Sequence, residues 1–224
     1  MKSQNISRII CPLITTIFVV FINLSPAEAS DNHSTGKSSA QFMAGIITAF
    51  SIHESAHALV IETADIDVHW ELGNYNQPIA FVESGTSDTK GKALYSAGLV
   101  SQVVGSEIIL QTDKIDKNNA FVRGMMAWNI INPISYALDY WLIRRSNKET
   151  ATTFQGDIEG IEHYSSESTA DGFALTMAAI AAFQGYRFLK TQSWAPEWLK
   201  GESYRLYIEP LPSNGMALTL EFRF

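Results

Sequence analysis

His53, Glu54 and His57 stand inside one largely apolar run, FMAGIITAFSIHESAHALVIE, from Phe42 to Glu62. On a helix, residues four apart share a face, so the two imidazoles can converge on a single metal ion. Glu54 projects about 100° further round, where its carboxylate reaches a water on that ion rather than the ion itself. Two neutral nitrogen donors suit zinc, and a carboxylate so placed can act as general base in peptide hydrolysis. Burying two histidines and a glutamate without partners costs several kcal/mol, a cost that a bound cation offsets. The competing reading is a core cluster satisfied by neighbouring side chains.

Other acids are candidates for a third ligand. Asp139 is the only acid in Phe121 to Ile143, FVRGMMAWNIINPISYALDYWLI, and stands among Tyr136, Leu138, Tyr140 and Trp141. A carboxylate isolated in such a run needs a partner, or burial raises its pKa and neutralises it. Glu167 and Asp171 fall at the start of an apolar stretch, where acids ordinarily answer the helix dipole. Glu107 reads as a helix-end carboxylate facing water, and His69 as a solvated residue on a polar strand face.

These residues need elements to carry them. Ser38 and Gln41 form a capping box that would open the HExxH helix. Ala93 to Leu110 reads as a second apolar helix, dotted with small residues that permit close contacts. Phe121 to Ile143 reads as a third, kinked or divided at Pro133, and Ser168 to Leu189 as a fourth. Arg144 to Ser166 is hydrophilic and is expected to loop over the surface. Alternation in Ile66, Val68, Trp70 and Leu72, then a turn and Ile79 to Glu83, predicts one antiparallel hairpin. A second is predicted over 203–224, where Met216, Leu218, Leu220, Phe222 and Phe224 share one greasy face. Four strands are too few for a membrane barrel, which needs about eight. The expected fold is therefore mainly α with minor β, an α+β domain. About four long apolar helices surround an HExxH helix, with two short hairpins beside them.

Met1 to Ala29 has the form of a secretory signal peptide. Lys2 and Arg8 are its basic start, Ile9 to Leu24 its apolar middle, and Ala27-Glu28-Ala29 its cleavage site. A polar leader, 30–41, would follow, then a single domain from 42 to 224. The only cysteine, Cys11, lies in the signal, so the exported chain would be held by no disulfide. Net charge is −7 with no basic block, which argues against nucleic acid as a partner. Four stretches approach the length of about 20 residues that spans a bilayer, so membrane association is expected.

With these pieces in order, the chain resembles the site-2-protease family of intramembrane zinc peptidases. His53-Glu-Ser-Ala-His57-Ala58-Leu59 is similar to that family's HExGHAL segment, and Ser96-Ala97-Gly98 to its AGP element, with Leu99 in place of the proline. Asn132-Pro133 followed by Leu138-Asp139 is similar to its NxxP…LDG element, with altered spacing and Tyr140 for the glycine. The likeness implies Asp139 as third zinc ligand, with Asn129 or Asn132 steadying an oxyanion. A second likeness joins Glu167-Ser-Thr-Ala170-Asp171 to the ExxAD helix of the CAAX-processing and heat-shock membrane zinc peptidases. That one implies Glu167 as the alternative third ligand. The expected function is a zinc-dependent peptidase of the cell envelope, with Zn2+ on His53, His57 and Asp139, Glu54 as base, and a protein or peptide substrate. The alternative is a non-enzymatic envelope protein whose metal site is structural or vestigial.

Overall fold

The structure, a computed structural model, describes residues 32–70, 80–82, 85–144, 156–200, 204–210 and 216–222, with side chains over 36–68, 85–144 and 156–200. The signal segment and its cleavage after Ala29 lie outside these residues. So do the side chain of His69 and the greasy face expected on the last strand.

Among the described residues, six helices make up the body. Four are long: α1 (Asn32–Ala64), α2 (Asp88–Gln111), α3 (Ala120–Asp139) and α5 (Glu167–Lys190). Two are short, α4 (Asp157–His163) and α6 (Glu197–Lys200). Local chemistry sets several ends. Ser87, Asn119 and Ser166 accept hydrogen bonds from the backbone N–H groups of Lys90, Phe121 and Thr169, satisfying donors that a helix start leaves unpaired. Helix α1 already includes Asn32, ahead of Ser38, and so runs through described residues expected to form a polar leader. Helix α3 passes through Pro133 undivided and continues into a π-helical turn, Tyr140–Arg144.

The long helices alternate in direction. Phe42 of α1 lies against Gly124 of α3, Phe50 packs edge-on to Trp128, and His53 lies beside Tyr136, so α1 and α3 run parallel. Asn132 of α3 donates to Gln102 of α2, and Gly105 of α2 faces Asn129, so α2 runs opposite. Helix α5 also opposes α3, through Trp141 with Asp171 at one end and Ile130 with Gly185 towards the other. One core unites Leu99, Ala137, Tyr140, Ile158, Ile161, Ala170 and Ala174 from α2, α3, its π-turn, α4 and α5. A second joins Phe42 and Ile46 to Ala120, Ala127 and Ile131.

The α+β expectation is corrected. Helix accounts for 82% of the described residues, and no strand forms part of the helical body. Val68–Trp70 with Ala80–Val82, and Tyr204–Pro210 with Met216–Phe222, are isolated two-stranded ribbons. Two strands alone bury too little to organise a fold, and the core is closed by helices. Among the described residues, three long helices, rather than about four, accompany the HExxH helix. The stretch expected to loop from Arg144 to Ser166 contains α4, whose Ile158 and Ile161 are buried.

Two helices, over Gly36–Ala64 and Asp88–Gln111, are long and apolar enough to cross a membrane, with only 28% and 39% of their apolar windows buried. Their outer faces carry Met43, Ile47, Phe50, Val100, Val104 and Ile108.

Candidate metal centre

Spacing along α1 puts His53 one turn above Ala49 and two above Ile46, on the face that packs into the bundle, and His53 is 2% exposed. His57 follows on the same face one turn later. Helix α2 can approach this pair because it presents Gly98. A Cβ there would meet the Nε2 atoms of both histidines and Cε1 of His53, so the absent side chain is the room in which the imidazole tips meet. One turn earlier on α2, the Leu94 carbonyl oxygen lies 2.8 Å from His57 Nδ1. A carbonyl only accepts, so Nδ1 carries the proton and donates, and a neutral His57 turns a bare Nε2 lone pair inwards.

The third group comes from α4. Asp157 is 6% exposed, with Oδ2 3.3 Å from His53 Nε2 and Oδ1 3.4 Å from His57 Nε2. The two Nε2 atoms are 3.2 Å apart. Burial pushes the Asp157 carboxyl up, and the two imidazoles more than offset that, holding it below its ordinary value. Even so, Asp157 Oδ2 makes no hydrogen bond among the described residues, and neither does His53 Nδ1. Three electron-pair donors thus point at one small space, and a buried carboxylate oxygen is left short of a partner.

His53, His57 and Asp157 could hold a metal ion, their donor atoms lying within 4.8 Å of one another. The spacing tests what fits. Bonds of about 2.0–2.1 Å to a tetrahedral ion place its ligands roughly 3.3–3.4 Å apart. The two Nε2 atoms are 3.2 Å apart, close to that separation, and each faces a different oxygen of the Asp157 carboxylate, at 3.3 Å for His53 and 3.4 Å for His57. The imidazole pair thus has the separation of two ligands on such an ion, and the Asp157 carboxylate can offer one oxygen as the third.

Glu54 lies at the edge of the group, its Oε1 4.0 Å from His53 Nε2 and its side chain 39% exposed. It borders the cluster and is partly open to solvent. Tyr136 borders the same site, its ring tilted 34° to that of His53 with centroids 6.2 Å apart.

Neither acid expected as third ligand joins the histidines. Asp139 leaves α3 at its C-terminal end, where it accepts from Arg144 Nε at 2.6 Å with its side chain 40% exposed. An ion pair at the rim answers its charge, so its isolation in the sequence ends one turn later. Glu167 stands in the first turn of α5, at the positive end of the helix dipole. Asn132 donates its amide to Gln102 at 3.1 Å, which commits it to the α2–α3 contact. Glu107, expected to face water, is held by Arg187 at 2.7 Å, with Gln184 and Gln111 also bonding it. The missed residue is Asp157. Its sequence signal is the pair Ile158 and Ile161, three apart in a mostly polar stretch, which fits a buried helical turn.

Comparison with protein-family models, with curated proteins and with solved structures finds no match to this chain.

Proposed function

We propose that the chain is a zinc-dependent peptidase seated in a membrane, with His53, His57 and Asp157 as ligands and Glu54 as general base. The observation that carries this reading is the convergence of His53, His57 and Asp157, whose ligand atoms lie within 4.8 Å of one another, with the partly exposed Glu54 carboxylate beside them. Three protein ligands leave a fourth position for water, the arrangement of catalytic rather than structural zinc. Zinc bound there would lower the pKa of its water toward neutrality and polarise a scissile carbonyl. Glu54 takes the proton of the attacking water and delivers it to the leaving amine. The Leu94 carbonyl keeps His57 in the ligating tautomer throughout, and Gly98 leaves space where a side chain would block the ion. This reading keeps the HExxH half of the site-2-protease likeness and replaces its aspartate with one from α4.

Charge placement supports the membrane setting. Residues 38–53, 93–106, 124–138 and 172–186, one stretch on each long helix, contain no Asp, Glu, Lys or Arg. At ~1.5 Å per residue each runs roughly 21–24 Å, most of a hydrocarbon core of about 30 Å. The exposed row Val100, Val104 and Ile108 and the face of Met43, Ile47 and Phe50 would lie against acyl chains. His53 ends the uncharged stretch of α1, so the centre sits close to one boundary, where water and a polypeptide can both arrive.

Glu54→Gln tests the assignment in a detergent- or bicelle-solubilised protein offered an unstructured polypeptide. Zinc content should match wild type while hydrolysis falls by about 10²–10⁴-fold. Unchanged turnover in zinc-loaded Glu54→Gln would remove Glu54 as the base. A zinc-loaded wild type that cleaves nothing would leave a structural metal centre.

A further inference from the structure

Helix α4 delivers the ligand that completes the centre, yet little in its own sequence holds it in place. Seven residues are far below the length at which an isolated helix is stable, and Gly156 at its start offers no side-chain cap. Ile158 and Ile161 anchor it by burial, but apolar contact is non-directional and sets depth better than register. Register requires something with shape.

Two tyrosine rings supply that shape. Tyr95 of α2 covers Gly160 of α4, and a Cβ at Gly160 would enter the Tyr95 ring. Tyr164, the residue capping the end of α4, covers Gly91 of α2, and a Cβ at Gly91 would enter the Tyr164 ring. The rings stack on each other with centroids 5.9 Å apart and planes 21° from parallel. Each element therefore offers one ring and one socket to the other, and sliding α4 along α2 would unseat both. Asp157 lies three residues before Gly160, on the same helical side. Tyr95 adjoins Leu94, whose carbonyl oxygen orients His57.

We infer that Tyr95 and Tyr164, seated on Gly160 and Gly91, are positioning residues for the metal centre: the crossed pair docks α4 on α2 and so holds Asp157 opposite His53 and His57. The inference rests on the three-residue metal centre. It adds that the affinity of that centre is set by two residues that never touch the ion.

Zinc titration of the full-length protein, with circular dichroism to follow folding, provides the test. Tyr164→Ala should weaken zinc binding by about 10–100-fold, the range for losing a group that orients a ligand, while Tyr164→Phe should bind as wild type does. Adding Tyr164→Ala to Asp157→Asn should cost no further affinity, because a residue acting through Asp157 has nothing left to position. Should Tyr164→Ala not fold, Gly160→Ala carries the same test, since it keeps both rings and fills one socket. Wild-type zinc affinity in a folded Tyr164→Ala protein overturns the inference, and so does an additive loss in the double variant. A wild type that takes up no zinc overturns the metal centre itself, and this inference with it.

Discussion

Glycine lets α1 approach α3, and lets α2 and α4 approach each other, but what fills the space differs between the two contacts. Between α1 and α3, Gly45 lies against the backbone of Phe121 and Met125, and Gly124 against the backbone of Phe42. Main chain meets main chain, and neither helix can yield without breaking its own hydrogen bonds. Between α2 and α4, Gly91 and Gly160 meet tyrosine rings instead. A ring can turn or be replaced, so this contact is adjustable where the other is rigid. The division matches the division of labour in the proposed metal centre. His53 and His57 ride on the rigid pair, and Asp157 is brought to them by the adjustable one.

The largest expected effect breaks the rigid side. Gly124→Ala drives a methyl group into the carbonyl of Phe42 and should cost about 3 kcal/mol, the upper part of the usual range for overpacking. Urea denaturation would read this as a lower midpoint, with zinc affinity of the remaining folded protein unchanged. Gly98→Ala comes next and acts on the centre alone. Its Cβ takes the space between the imidazole tips, so zinc stoichiometry should fall from one towards zero while far-ultraviolet circular dichroism stays as in wild type.

Acidification probes the ligands without mutation. Zinc binds deprotonated imidazole and carboxylate, so protons compete, and affinity should fall steadily as pH drops below neutrality. An equilibrium titration across that range should show proton release on binding, and a pH-independent affinity would exclude histidine ligands. The smallest effect belongs to Asp139→Asn. Its partner Arg144 forms a rim ion pair with a side chain 40% exposed, and such pairs contribute about 0–1 kcal/mol. A loss of more than that in thermal or urea unfolding would mean that Asp139 does more than pair with Arg144.

The same contrast explains what the sequence could disclose. The HExxH pair is local: one helix, one face, four residues apart, so periodicity alone brings His53 and His57 together. Helices α2, α3 and α5 were legible for the same reason, as long apolar stretches, whereas their starts at Ser87, Asn119 and Ser166 emerged only with the structure. Asp157 is separated from His57 in the chain by helices α2 and α3, and its meeting with the histidines depends on α4 docking on α2. No local spacing encodes that docking. Asp139 drew attention as a lone acid in an apolar run, but the run ends there, and Arg144 follows one turn later to pair with it. The short ribbons followed the alternation in the sequence, yet alternation reports a strand's faces and says nothing about whether a core will use them.

The central claim is that Asp157 completes the site begun by His53 and His57, and parallel zinc titration of Asp157→Asn and Asp139→Asn tests it most directly. Removing a true ligand should reduce zinc affinity sharply, whereas removing a rim partner should leave it as in wild type. The account predicts that Asp157→Asn loses stoichiometric zinc and Asp139→Asn retains it. Retention by Asp157→Asn together with loss by Asp139→Asn would contradict it.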